Sequence, residues 1–258
     1  MIQAYENLTR LEMEQIDKEN TIVLIPIGSL EQHGNQLPLG TDTMIVRELI
    51  EYIKRELDEN FPMLVFPALP IGLSTEHRNF CGSITLKPDT LYHMLEDICK
   101  NIASHGFKKI AFLNGHGGNA PIIQVLSREL RVIEGINIFC IQSGFWDKPE
   151  VKETISKGNN WDFHGGEMET SMVMAIDESL VHLEKAVAGR PTRFEKNKQF
   201  SLFGPISISW IGEDWQDEEG NPIGIGGNPI GATKEKGKVI FKSFAESIAE
   251  GLLEISKW

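Results

Sequence analysis

The chain has 258 residues, of which 41% are hydrophobic, 24% charged and 8% aromatic. A globular chain of that length buries roughly 70–75% of its unfolded surface, so neither disulfides nor a structural metal are needed to hold a core. Lys plus Arg number 25 against 37 Asp plus Glu, for a net charge of -12, and no basic run exceeds Lys108-Lys109; this balance excludes nucleic acid and anionic membranes as partners. The cysteines at 81, 99 and 140 match no metal knuckle or redox pair and read as small buried hydrophobes in a reducing cytoplasm. The N-terminal residues lack a signal-peptide pattern, and no apolar run approaches the roughly 20 residues of a membrane helix. The expectation is a cytoplasmic protein that does not touch a membrane.

Residues 21–27 are rich in Ile and Val, closed by Pro26 and Gly28, and predict a buried strand. A helix follows from about Asp42, with Met44, Ile45, Leu49, Ile50 and Ile53 on one face and Thr41 or Asp42 as its cap. Residues 61–69 form a second apolar run, then comes a loop at 70–77 and a short strand at 83–86. Leu91, Leu95, Ile98 and Ile102 mark a second amphipathic helix ending near Gly106. Residues 109–113 read as a third buried strand, 120–133 as a helix and 136–142 as a fourth strand. Residues 144–161 are polar and irregular, 167–175 helical, and 233–256 form a closing helix. The long irregular stretch 190–229 reads as either a cover over a site or an oligomer contact. Regular alternation of strand and helix predicts a single α/β domain over residues 1–258, a three-layer α/β/α sandwich on a mostly parallel sheet.

Ligands of such sheets bind beyond the carboxyl ends of the strands, and the loops there carry unusual chemistry. The first reads Gly28-Ser29-Leu30-Glu31-Gln32-His33-Gly34, with Asp42 returning at the next helix. Glu31 and His33 are two apart, so in an extended segment both side chains leave one side. The third reads Asn114-Gly115-His116-Gly117-Gly118-Asn119, where flanking glycines let the backbone approach a ligand closely. His164-Gly165-Gly166-Glu167 repeats the pairing of histidine, glycines and carboxylate. Carboxylates and imidazoles without cysteine make a nitrogen and oxygen site suited to Zn, Mn or Fe. Glu31, Asp42 and Glu167 supply three negative charges against four positive from two divalent ions. The remaining charge matches a bridging hydroxide, a nucleophile available at neutral pH.

These motifs, with Glu76-His77 through Gly82-Ser83-Ile84-Thr85-Leu86 and the stretch from Gly227 to Gly237, resemble the creatininase (creatinine amidohydrolase) family over most of the chain. The resemblance implies the α/β/α fold, two divalent metal ions per chain, a homohexamer, and hydrolysis of a non-peptide C-N bond in a small amide. It implies that Glu31, Asp42 and His116 hold one metal and His33 and Asp42 the other. The glutamate that creatinine hydrolases carry two residues after the third-loop histidine is Gly118 here, so Glu167 is expected as the fifth ligand. Ser74, Trp161 and His164 fall at substrate positions, with His164 and Glu167 expected to be catalytic. Losing the Tyr and Glu of the creatinine-binding loop to Gly117 and Gly118 opens the pocket, which favours a formamide or cyclic amide over creatinine itself. A keto-sugar or peptide-derived cofactor precursor as substrate, or a metal-binding oligomer without turnover, stand as alternatives. His77 either lines the pocket or braces its own loop, and Glu169, two residues from Glu167 on a helix, is expected to face away.

Overall fold

The computed structural model describes residues 1–143, 148–159, 161–202 and 205–258. The central sheet has the order β1-β3-β2-β4-β5 and is parallel throughout. Its strands are β1 Ile2–Ala4, β2 Ile22–Ile27, β3 Met63–Val65, β4 Lys109–Asn114 and β5 Asn137–Gln142. Two short strands, β6 Phe200–Ser201 and β7 Ile206–Ser207, pair outside it. The helices are α1 Arg10–Gln15, α2 Thr41–Glu56, α3 Pro88–Ser104, α4 Ala120–Glu134, α5 Pro149–Thr154, α6 Glu167–Asp177 and α7 Lys234–Ser256.

Every residue of β2 and β4 is buried, as their unbroken apolar runs require of strands covered on both faces. The chain steps from β2 to β3 in one direction, then from β3 to β4 in the other, so right-handed crossovers place α2 and α3 on opposite faces. One core joins alternate sheet residues such as Ile22, Leu24 and Leu113 to α2, α6 and α7 through Leu49, Met172 and Phe241. The other joins Val23, Ile25 and Phe112 to α3 and α4 through Leu95 and Leu126. The three expected layers are present, and the reversal of strand order opens a crevice between the carboxyl ends of β2 and β4. Two glycines let α2 close that crevice. A Cβ on Gly28 would lie 2.6 Å from the Thr43 backbone nitrogen, and one on Gly115 would lie 2.4 Å from Val46 Cγ1.

Several expectations are corrected. The apolar run 61–69 supplies the three-residue β3 and one further parallel bridge, Leu69 with Ile27, and 83–86 contributes a single antiparallel bridge, Ile84 with Leu30. Pro62, Pro67 and Pro70 explain the first, because proline cannot donate to a ladder. The N-cap of α2 is Gly40, without a side-chain bond; Thr41 Oγ1 instead donates to Pro38 O. Cys99 is buried, but Cys81 and Cys140 are exposed, Cys140 because β5 is an edge strand. Of the irregular stretches, residues 144–147, 160 and 203–204 lie outside the described residues. Among the described residues no helix is long and apolar enough to cross a membrane.

Candidate metal centre

The loop after β2 places Glu31 and His33 at the crevice, fully buried, and the first turn of α2 brings Asp42 beside them. The helix N-terminus favours a carboxylate there, and Ser29 Oγ donates to Asp42 Oδ2. The loop after β4 delivers His116, whose Nδ1 lies 3.1 Å from Glu31 Oε1 and 3.4 Å from Asp42 Oδ2. Asparagines hold this loop in place. Asn114 Nδ2 donates to His116 O at 2.7 Å, while Asn119 donates to Gly28 O and accepts from Leu73 N, tying three strand-end loops together. His164 arrives from the segment before α6, bridged to Gly226.

Three imidazoles share one device. His33 Nδ1 faces Glu31 O at 3.1 Å, His116 Nε2 faces Leu73 O at 2.8 Å, and His164 Nε2 faces Gln32 O at 2.8 Å. A carbonyl can only accept, so each of those nitrogens carries the hydrogen and turns the opposite nitrogen inward. The inward atoms meet carboxylates: His33 Nε2 is 3.2 Å from Asp42 Oδ1 and 3.8 Å from Glu169 Oε2, and His164 Nδ1 is 3.6 Å from Glu31 Oε1. Both oxygens of Glu31 and the Nε2 of His33 are buried without a hydrogen-bond partner. Such an array is stable only with cations or protons among its atoms. Among the described residues three donor groups have ligand atoms within 4.8 Å of one another: Glu31, Asp42, His116; His33, His164, Glu169; and Glu31, His77, His164. Oxygen and imidazole donors of this kind fit a divalent ion such as Zn, Mn or Fe.

Burial alone would lower the imidazole pKa values, but the carboxylates prevail at two rings. His33 beside Asp42, and His116 beside Glu31, are raised to about 10. Burial raises Glu31 and Asp42 less than the facing imidazoles lower them, so both lie below the usual carboxylate range. Burial pushes Glu169 up to about 7. It takes His164 down to about 4 with the help of the His33 charge, and takes His77 well below the usual range, aided by the neighbouring imidazoles.

The structure brings Glu31, His33, Asp42, His116 and His164 together and leaves Glu167 out. Glu167 accepts from Ser156 N and Oγ, from Asn159 Nδ2 and from Lys236 Nζ of α7, on the far side of α6. The carboxylate that enters the site is Glu169. At about 100° per residue, positions 167 and 169 lie some 200° apart around the helix, so only one can face the crevice. Gly118 leaves no room for the missing family glutamate, since a Cβ there would lie 2.2 Å from Leu73 O and 2.7 Å from Glu76 Oε1. Glu76 itself stands 3.5 Å from His116 Nε2. Ser74 is buried, its Oγ 3.4 Å from His116 Nε2. Trp161 packs edge-on against Trp215 and does not line the cavity above the site; Phe163 and Trp210 do. That cavity, about 260 Å³, is also lined by Glu76, His77, His116 to Gly118, His164, Met168 and Glu169. Glu76, Glu169 and Gln32 carry no mark in the sequence beyond adjacency to motif histidines and glycines. A helix phase drawn through Met168 and Met172, which face the cavity, would have selected Glu169.

Carboxylates opposed to inward imidazole nitrogens at the carboxyl ends of a parallel sheet give an α/β protein with candidate metal-binding groups. Within that class the similarity to known proteins is specific: the Creatininase profile, described as creatinine amidohydrolase, matches residues 6–252, and the chain belongs to this family of hydrolases. It is 30% identical over 242 residues to a mycofactocin precursor peptide peptidase of Mycobacterium ulcerans, covering 92% of this chain and 85% of the relative. It is 27% identical over 250 residues to the creatinine amidohydrolase of Pseudomonas putida, covering 90% and 89%. A solved creatininase mutant described as Zn-Zn type superposes with a TM-score of 0.76 at 25% identity, over 97% of this chain and 96% of that one.

Proposed function

We propose that this chain is a cytoplasmic, metal-dependent amidohydrolase that cleaves a non-peptide C-N bond, in a cyclic amide or a formamide. The reading is carried by the buried array of Glu31, Asp42, His33 and His116, with partnerless oxygens and inward-facing imidazole nitrogens below a small cavity. Glu31, Asp42 and His116 would hold one divalent ion; His33, Asp42 and Glu169 would hold a second, with Asp42 shared. Such ions supply Lewis acidity and lower the pKa of a water, which is the chemistry amide hydrolysis needs at neutral pH.

The protein's own groups complete the reaction. Phe163, Trp210, Met168 and Met172 give the cavity an apolar wall, which limits water around the reacting groups and strengthens the electrostatics inside. His164 Nδ1 faces Glu31 with its lone pair, held by the Gln32 carbonyl behind it, so it is placed to take a proton and pass it to the departing nitrogen. Gly117 borders open space, whereas the Leu73 carbonyl and Glu76 fill the space beside Gly118, so any extra room for a substrate bulkier than creatinine lies at position 117. Family resemblance supports a homohexamer and roles for Ser74 and Trp161 near the substrate, Trp161 acting through the aromatic cluster of Trp215 and Phe163.

A second reading, cleavage of a peptide, is favoured by the similarity to the precursor peptide peptidase named above. A panel of formamides, cyclic amides including creatinine, and short peptides, offered to the protein loaded with Zn, Mn or Fe(II), separates the two. Glu31→Gln should lower turnover of the accepted substrate by at least about a thousandfold while leaving the fold intact. Full activity in that variant would refute the mechanism.

A further inference from the structure

Gln32 lies between the proposed ligands Glu31 and His33, and its side-chain amide is oriented from both ends. Oε1 accepts from Gly34 N at 2.9 Å, and Nε2 donates to Gly224 O at 2.6 Å. Exchanging the two atoms would set donor against donor at Gly34 and acceptor against acceptor at Gly224. The second hydrogen on Nε2 therefore goes to His77 Nδ1, 2.9 Å away. The same nitrogen is 3.3 Å from His164 Nε2, but its hydrogens are already used, and the His164 hydrogen points at Gln32 O. His77 Nδ1 is thus an acceptor, and the hydrogen of this neutral ring sits on Nε2.

That Nε2 is buried without a hydrogen-bond partner. His77 lines the cavity, stacked on His164 with centroids 4.2 Å apart and met edge-on by Trp210. Glu31 Oε1, at 3.8 Å, is beyond hydrogen-bond range. A buried donor without an acceptor is costly, and this one faces space that a bound molecule would fill.

We propose that His77 is the substrate-orienting donor of the site: its Nε2-H, held in that tautomer by Gln32, donates to an oxygen of the bound molecule, the scissile carbonyl or the oxyanion that grows from it. With Nδ1 accepting from Gln32, the Nε2 hydrogen is the only one on a neutral ring, so binding a metal there would need an imidazolate; His77 is therefore not a metal ligand, and the group of Glu31, His77 and His164 is not a metal site. The substrate half of this assignment rests on the hydrolase reading; the tautomer does not.

Neutron diffraction on deuterated crystals, metal-free and soaked in Zn²⁺, reads the hydrogen directly. The expected maps show deuterium on His77 Nε2 and none on Nδ1 in both states. In Gln32→Glu, whose carboxylate must accept, deuterium should appear on Nδ1. Acetohydroxamate, an amide-like oxygen donor, is then titrated calorimetrically into Zn-loaded protein. His77→Phe should bind it about tenfold more weakly at unchanged zinc content, and His77→Gln, which keeps an N-H, should recover part of the loss. Deuterium on Nδ1 of the wild type, its loss from Nε2 on zinc loading, or equal acetohydroxamate affinity in His77→Phe would each overturn the assignment. Failure of the wild type to take up zinc would instead refute the hydrolase reading, while the metal-free map would still decide the tautomer.

Discussion

At the scale of single residues the centre is a competition between protons and cations for the same lone pairs. With no ion bound, the carboxylates keep His33 and His116 protonated up to about pH 10. Loading must expel those protons. At pH 8.5, with Glu169 at about 7 already ionised, about two protons should leave the side chains per chain, in addition to any proton lost by a water ionised on the ions. At pH 6 Glu169 adds close to one more, and above pH 10 the side-chain contribution should fall toward zero. Calorimetry of zinc binding in buffers of different ionisation enthalpy measures this count; a release that does not change with pH would contradict the assignment of these donors. The four residues Glu31, His33, Asp42 and His116 were legible in the sequence through their joint occurrence at corresponding strand ends, although Asp42 taken alone reads as a helix cap. Glu169 was not, because a carboxylate in the first turn of a helix has the same local appearance at 167 and at 169. Gln32 was illegible for a different reason: its role depends on Gly224, 192 positions away.

At the scale of elements, α6 is held in phase by the residue first expected in the site. Glu167 is buried and paired with Lys236 of α7 and with Ser156 and Asn159. This contact fixes the rotation that points Glu169 at His33. Lys236→Met leaves the Glu167 carboxylate without its cation and should destabilise the protein by about 2 kcal/mol in urea unfolding. Glu167→Ala should cost about as much, and neither should remove an ion from the site. Loss of metal without loss of stability would reverse the roles given to 167 and 169. Helices with strong apolar stripes were legible as elements, as were the fully buried β2 and β4. The three-residue β1, Ile-Gln-Ala, was not, since it carries no period and is a strand only because β3 offers it an edge.

At the scale of the whole molecule, strand order explains why the site is where it is. The reversal at β2 leaves a crevice beside β4, and α2, seated over Gly28 and Gly115, brings Asp42 to its mouth. Residues 190–229, open in the sequence between cover and oligomer contact, include Trp210, which lines the cavity against Phe163 and His77. Trp210→Ala should raise KM for the accepted substrate about tenfold with a smaller change in kcat, because it removes a wall and not a reacting group. Unchanged steady-state kinetics would assign that segment to another purpose. A sedimentation experiment showing six times the chain mass would bear on the proposed hexamer.

The proposed mechanism depends on how many ions the site holds and which glutamate completes it. The direct measurement is metal per chain by elemental mass spectrometry after loading with Zn²⁺, for the wild type and for Glu169→Ala and Glu167→Ala side by side. The prediction is about two ions in the wild type, about one in Glu169→Ala and about two in Glu167→Ala. Two ions retained in Glu169→Ala with one lost from Glu167→Ala, or none bound by the wild type, would contradict it.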